Sequence, residues 1–437
     1  MLNTSCPSLV APERLRASLY RVVWRWHFYA GVLVAPVLFV VAVTGAMYVF
    51  KDELERVIYP DTMFVTPKPE TVSLDRQVAA GEAAYPGCKA DTVEVETDPT
   101  RATSIRIRGP SQSQRVYVNQ HTGTVQGAIG EDSVFRVVLD IHRRLFIGTA
   151  GRVVVEVVTC WTVVLLVTGL YLWFPRRPTL RGVFLPRLRS HPYTALRDCH
   201  AIAGACLMPV AITIALTGLV YSLVWGSGYS YASSTGGPSP TAALKSVSSP
   251  DAPPLALDRA VAITRTHYPE AAFIDVRLPS SPGRALVARA KLSEATGPRR
   301  QVVLALDHST GEVLDSQFSG QYPALRWWRT TWNYSLHVGD ILGTPTKVIW
   351  LVACLVLAAL PATGLWMWWK RRPDGRTGFP RRPERRVPWW LLGVIGLLSV
   401  FLPAVGASVV LILAGEWVAD RVRHRRAATA ATPPVSL

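Results

Sequence analysis

The sequence predicts an α-helical membrane protein with an internal duplication: two helix pairs, each bracketing a small α+β domain, plus a C-terminal fifth helix. Three observations carry that expectation. Long runs such as HFYAGVLVAPVLFVVAVTG at 27–45 are free of charge, and about 20 apolar residues span the hydrocarbon core as a helix. That run matches HAIAGACLMPVAITIALTG at 200–218, with His, Ala-Gly, Pro and Thr-Gly at the same offsets. Residues 142–178 align with 337–373 without a gap, ending in TGLYLWFPRRP and TGLWMWWKRRP. A repeat of this length governs the fold.

The elements follow in order. Residues 1–22 form a polar tail with too little apolar length for a secretory signal, so the first run, 23–50, stays as a membrane anchor. Residues 51–141 form the first α+β domain. It has a helical pattern, LDRQVAAGEAAYP at 74–86, and a hairpin, RVYVNQHTGTV at 115–125, where period-2 alternation breaks at Thr-Gly. Residues 142–174 are the second membrane helix with an extension beyond the bilayer, and 175–198 an Arg-rich loop. The third membrane helix covers 199–225. Residues 226–335 repeat the α+β domain, with a Ser/Pro/Gly-rich linker at 233–254, the helix LDRAVAITRTHYP at 257–269 and the hairpin VVLALDHSTGEV at 302–313. The fourth helix with its extension covers 336–369, a basic loop 370–388, the fifth helix 389–418 and a tail 419–437.

The net charge of +17 sits largely in runs flanking apolar segments. Under the positive-inside rule these are cytoplasmic loops, not a nucleic-acid surface. The N-terminal tail (Arg14, Arg16, Arg21, Arg25) and the loops 175–198 and 370–388 then face the cytoplasm. The two α+β domains face the periplasm of a Gram-negative bacterium, and the bilayer sought is the inner membrane. Arg421, Arg423, Arg425 and Arg426 conflict with an odd number of crossings. The chain either breaks the rule there or bends back at Pro403, and one crossing is expected because about 28 residues are too few for two full spans. The cysteines show no CxxC or metal-like spacing, so neither a disulfide framework nor a thiolate metal site is expected.

Four of the nine histidines fall at repeat-matched places beside the membrane: His27 and His200 at the cytoplasmic ends of outgoing helices, His142 and His337 before ingoing ones. Topology pairs His27 with His200 and His142 with His337. The remaining five fall in turns, loops or tails, and His121 and His308, near the two hairpin turns, are expected to be solvated. A single histidine at a helix end is most often an interfacial or capping residue, but four in register at membrane depth point to function. Zinc wants three or four protein ligands, and no nearby cysteine or matched carboxylate completes such a shell. A b-type haem needs two axial ligands, and imidazole serves. Gly31 and Gly204, one turn past the inner histidines, would clear space for a flat macrocycle, though small residues also serve helix packing. Arg143, Arg144, Arg152 and Lys347 are candidates to neutralise haem propionates near the outer pair, with Arg25 and Arg197 inside. The matched Thr-Gly pairs and Pro36/Pro209 read as packing and kink devices. In RWWRTTWNYSLH at 326–337, the tryptophans Trp327, Trp328 and Trp332 suit an interfacial aromatic belt or the shielding of a bulky ligand. No residue stands out as catalytic in its own right.

The H-x3-G…TG first helix, the His…Gly-Thr…TG-L-x2-W second helix and the paired T-G-x-V hairpins resemble the PepSY-associated transmembrane proteins over about 20–373. The resemblance implies PepSY-like outer domains. Members similar to this chain look like siderophore-iron reductases of the ferrioxamine and pyoverdine type. It therefore implies two b haems ligated by His27, His200, His142 and His337, a ferric-siderophore substrate in the periplasm, and a cytoplasmic or membrane electron donor. The donor must be another molecule, since no G-x-G-x-x-G follows a strand here. Two other classes are open: a non-enzymatic PepSY protein that binds peptides or restrains a protease or assembly, and a transporter built from repeats. Long outer domains and the lack of deep acidic residues in the first, third and fourth spans argue against ion coupling. Glu156, in the second, is the exception.

Overall fold

A computed structural model describes residues 10–110, 112–175, 180–235, 244–279, 281, 283–292, 298–372 and 389–430. The first nine residues, the centre of the 233–254 linker, most of the basic loop at 370–388 and the end of the tail lie outside the described residues. The chain runs α1 (Val10–Val49), α2 (Lys51–Ile58), α3 (Pro60–Met63) and α4 (Leu74–Ala84), then β1 (Lys89–Glu96), β2 (Thr103–Arg108), β3 (Ser113–Val118) and β4 (Val125–Ile129). Next come α5 (Val134–Arg144), α6 (Gly148–Trp173), α7 (Pro192–Leu219), α8 (Val224–Ser234) and α9 (Leu257–His267). The second strand set is β5 (Phe273–Arg277), β6 (Leu286–Lys291), β7 (Gln301–Leu306) and β8 (Val313–Phe318). Then follow α10 (Ala324–Trp327), a π-helical turn (Trp328–Trp332), α11 (Asn333–Val338), α12 (Thr344–Arg371), α13 (Trp389–Phe401) and α14 (Pro403–Ala430).

The described residues contain four helical stretches long and apolar enough to cross a membrane: Leu19–Val49, Gly148–Trp173, Pro192–Leu219 and Thr344–Arg371. They coincide with the first four expected spans. Pro36, Pro209 and Pro361 lie inside three of them. Such prolines survive in membrane helices because neighbouring groups re-satisfy the freed carbonyls. α7 starts seven residues earlier than the expected span. Pro192 occupies its first turn, and the His191 ring accepts a hydrogen bond from the Tyr193 N–H, so a loop histidine acts as a cap.

The fifth segment departs from expectation. Residues 389–418 do not form one helix: the chain breaks at Leu402 into α13 and α14. Pro403 has no N–H and disfavours a helical residue before it. The two helices pack together, and a Cβ on Gly406 would stand 2.7 Å from Ser399 Cβ. The length argument failed because α13, with 13 residues, is not a full span.

The chain divides into two compact units. One comprises 1–39, 147–227 and 356–437, the other 40–146 and 228–355. In the first, α6 packs against α7 and α14, around a core that includes Val34, Val158, Trp161, Leu219 and Leu402. Trp161 Nε1 donates to Ser408 Oγ at 3.0 Å and Trp225 Nε1 to the Phe401 carbonyl at 3.1 Å.

The second unit holds one eight-stranded antiparallel sheet, ordered β4-β3-β2-β1-β5-β6-β7-β8. The two α+β domains expected at 51–141 and 226–335 are therefore not separate. Each contributes a four-stranded meander, and β1 pairs with β5 through Val93↔Val276 and its neighbours. An isolated meander leaves a strand edge with unpaired N–H and C=O groups, and pairing the two edges removes it. One sheet face is apolar (Val93, Ile105, Val116, Ile274, Leu304) and is covered by Leu74, Leu257, Ala260 and Val261 of α4 and α9. The first N–H groups of these helices are satisfied reciprocally. Leu74 N donates to Asp258 at 2.8 Å, and Leu257 N donates to Asp75 at 3.1 Å. The Leu-Asp-Arg match between the two helices therefore encodes a mutual cap.

Of the two hairpin histidines, His121 is half-exposed and only His308 departs from expectation. His121 hydrogen-bonds the Glu70 carbonyl and the Lys68 N–H. His308 is buried, and among the described residues neither of its ring nitrogens has a hydrogen-bond partner. The cause is Asp307. Its carboxylate takes hydrogen bonds from Ser246 Oγ, Ser248 Oγ and the N–H groups of Val247, Ser248, Ser309 and Thr310. The linker is thereby drawn across the turn. Burial would raise the Asp307 carboxyl, but these donors hold it well below the usual carboxylate range.

Candidate functional site

His142 and His337 sit in the last turns of short helices, whereas His27 and His200 lie within α1 and α7. In the second unit, His142 lies in the last turn of α5, which stops at Leu145 and Phe146 in the left-handed region (φ 50° and 58°). Its Nδ1 is 3.0 Å from the Val41 carbonyl oxygen and 3.2 Å from Thr44 Oγ1. A Cβ on Gly45 would be 3.3 Å from His142 Cε1, so the ring packs closely against the glycine. His337 lies in α11, which ends at Gly339 with φ 79°. Gly339 sits under Trp350, whose Nε1 donates to the Leu336 carbonyl at 2.8 Å; a Cβ there would come within 2.6 Å of the indole. The His142 and His337 rings face one another with centroids 6.4 Å apart, tilted by 58°.

The first unit repeats the arrangement. His27 Nδ1 is 2.9 Å from Thr168 Oγ1, and a Cβ on Gly169 would be 3.3 Å from His27 Cε1. His200 Nδ1 is 2.8 Å from Thr363 Oγ1, and a Cβ on Gly364 would be 3.8 Å from His200 Cε1. His27 and His200 lie within electrostatic reach of one another. His142, His27 and His200 thus share one module: threonine grips Nδ1, and the following glycine lets the ring approach the helix. Thr44, Thr168 and Thr363 are the ring partners that sequence reasoning missed. Their signal was present, because Thr-Gly recurs in every matched helix, but it was read as packing.

The donor set fits a two-ligand cofactor. Two imidazoles that share one metal ion through a nitrogen each, at about 2 Å per bond, hold their ring centroids roughly 6 Å apart. Among the described residues no group of three or more His, Cys, Asp or Glu is placed to hold a metal ion. Gly31 has only a Leu165 methyl at 4.0 Å from an added Cβ, and Gly204 only Leu360 at 3.7 Å. Packing within the chain therefore forces neither to be glycine.

The basic candidates are mostly engaged. Arg144 pairs with Asp140 at 3.3 Å, and Arg152 donates to the Ser222 carbonyl at 3.3 Å. Arg143 follows His142 in the same turn. Arg25 stacks over Tyr29, and Arg197 pairs with Asp198 at 2.9 Å. Lys347 is buried between Glu53 at 2.6 Å and Asp340 at 3.8 Å. This corrects its reading as a propionate partner: a buried ammonium requires carboxylates nearby, and it has them. Trp327 and Trp328 are exposed, and Trp327 meets Trp332 edge-on at 6.2 Å. These residues form the π-turn and its flank directly before α11. Turns of this kind recur at functional sites, and the buried Trp332 Nε1 and Thr331 Oγ1 there have no hydrogen-bond partner among the described residues. Glu156 is explained structurally. It accepts from the N–H groups of Leu223, Val224 and Trp225 at 3.0, 2.8 and 2.8 Å, capping α8.

Lipid-length helices and an antiparallel sheet domain define a helical membrane protein that carries an α+β domain. A family model described as the PepSY-associated TM region matches residues 24–371. The chain belongs to that family. No curated protein matches the chain significantly.

Proposed function

We propose that the chain is an inner-membrane, two-haem b-type electron conduit, made of two copies of one helix–domain–helix unit, that reduces a ferric siderophore at the periplasmic face. His27 with His200 would hold one haem, and His142 with His337 the other. Bound there, haem supplies reversible one-electron chemistry. The chain's own part is ligation, ring orientation and exclusion of water. A ferric siderophore is the substrate, and ferrous iron leaves because hard oxygen ligands hold it less tightly. A cytoplasmic or membrane donor supplies the electrons. The fold-back at Leu402 supports an orientation in which the Arg-rich tail returns to the cytoplasmic side.

The observation that carries this reading is the facing of His142 and His337 at 6.4 Å, with His142 Nδ1 already engaged. Purified protein, reconstituted with haem, is expected to show a Soret band and a sharp reduced α-band, with two haems per chain. His337→Ala should remove about half the haem. Colourless protein after reconstitution would sink the proposal, and unchanged haem in His337→Ala would reject that ligand.

A further inference from the structure

We infer that Thr44, Thr168 and Thr363 are positioning residues that fix the ring proton of His142, His27 and His200 on Nδ1, and that they do so unequally at the two sites. The inference about potentials rests on the haem reading; the proton assignment stands without it. A threonine hydroxyl has one proton. Thr44 Oγ1 is 2.7 Å from the Val40 carbonyl oxygen, Thr168 Oγ1 is 2.7 Å from that of Val164, and Thr363 Oγ1 is 2.9 Å from that of Ala359. Each is the carbonyl four residues back on its own helix, the usual acceptor for such a hydroxyl. With its proton committed there, the hydroxyl oxygen accepts from the imidazole. His142 gives an independent check, because the Val41 carbonyl at 3.0 Å cannot donate and requires a proton on Nδ1. Each neutral ring therefore carries its lone pair on Nε2, the nitrogen left for a metal.

The inequality lies in the acceptors. Among the described residues, His142 donates to a carbonyl and a hydroxyl together, whereas His27 and His200 each meet one threonine hydroxyl. An acceptor on the far nitrogen makes an imidazole a more basic ligand, which favours ferric over ferrous iron and lowers the potential. Replacing Thr168 or Thr363 with the near-isosteric valine removes the one acceptor that its ring has among the described residues. Thr44→Val leaves Val41 in place.

The test is redox titration of reconstituted protein. Thr168→Val and Thr363→Val should each raise the midpoint of one centre, with the one-electron equilibrium moving roughly tenfold, about 59 mV. Thr44→Val should move its centre by less. Thr168→Ser, which keeps the hydroxyl, should restore the wild-type midpoint. Loss of haem in Thr168→Val with retention in Thr168→Ser also supports the role. Full haem with unmoved midpoints in both inner valine variants overturns it, as does a serine variant that behaves like valine. Haem-free protein provides a readout independent of the cofactor. Nitrogen-15 histidine NMR should report the Nδ1–H form for His27, lost in Thr168→Val; an Nε2–H signal in wild type overturns the assignment. Colourless wild type defeats the haem reading, whereas coloured wild type with unmoved midpoints defeats only this inference.

Discussion

The two stretches that lead into the second and fourth membrane helices make an instructive pair. Before His142 the chain is one regular helix, Val134–Arg144; before His337 it is α10, a π-turn and α11. Beyond the histidines they converge. Left-handed residues follow within a few positions, Leu145 in one and Gly339 in the other, and Gly148 and Gly343 take matched positive φ values of 59° and 68°. What is common is the geometry between imidazole and membrane helix; what varies is the approach and the charge beyond it. Arg152 finds a backbone carbonyl, while the matched Lys347 is buried between two carboxylates. The ring environment is therefore held more tightly than its surroundings.

The sharpest way to break this comparison is at that matched cation. Lys347→Met should cost about 2–3 kcal/mol, because Glu53 and the half-buried Asp340 both lose the buried ammonium between them. Arg152→Met should cost about 1 kcal/mol, one charge-assisted hydrogen bond. Thermal unfolding in detergent reads both, and equal costs would mean that the two positions are equivalent after all. Next comes the hairpin clamp, which the second copy has at Asp307 and the first lacks. Asp307→Asn should cost about 2 kcal/mol by setting an amide against backbone donors. Because the folded carboxyl sits below its unfolded value, its contribution is complete above about pH 4 and lost as the pH falls. The variant should therefore show a shallower acid limb, and an unaltered limb would remove Asp307 from the balance. The smallest effect tests the glycines. Gly169→Ala pushes against the His27 ring at 3.3 Å and should cost about 1 kcal/mol, while Gly364→Ala, at 3.8 Å from His200, should be nearly neutral. Identical melting shifts would show that ring proximity does not explain the glycines.

Much of the architecture was legible because hydropathy and register are local signals. The four spans, the α4 and α9 helices and both hairpins lie where run length and alternation put them. The β1–β5 seam was not legible, because strand edges meet across a long sequence separation and leave no periodic trace. The threonine partners of the histidines were visible as a repeat. Their role depends on the rotation of one helix against another, which spacing alone does not specify. Burial of His308 followed from Asp307 gathering donors out of a linker that reads as plain Ser/Pro-rich loop. At the C-terminus Pro403 carried the right signal, and an assumption about minimum span length overrode it.

The shared sheet also sets a problem for the newborn chain. Synthesis delivers the first meander well before the second, so β1 must wait with one side open. Its sequence, KADTVEVE, places Lys89, Asp91, Glu94 and Glu96 along that waiting strand, and charges of this kind discourage stray partners. The carboxylates now lodged at the middle of the sheet thus double as guards during assembly, keeping one half of the molecule unmated until its sibling arrives.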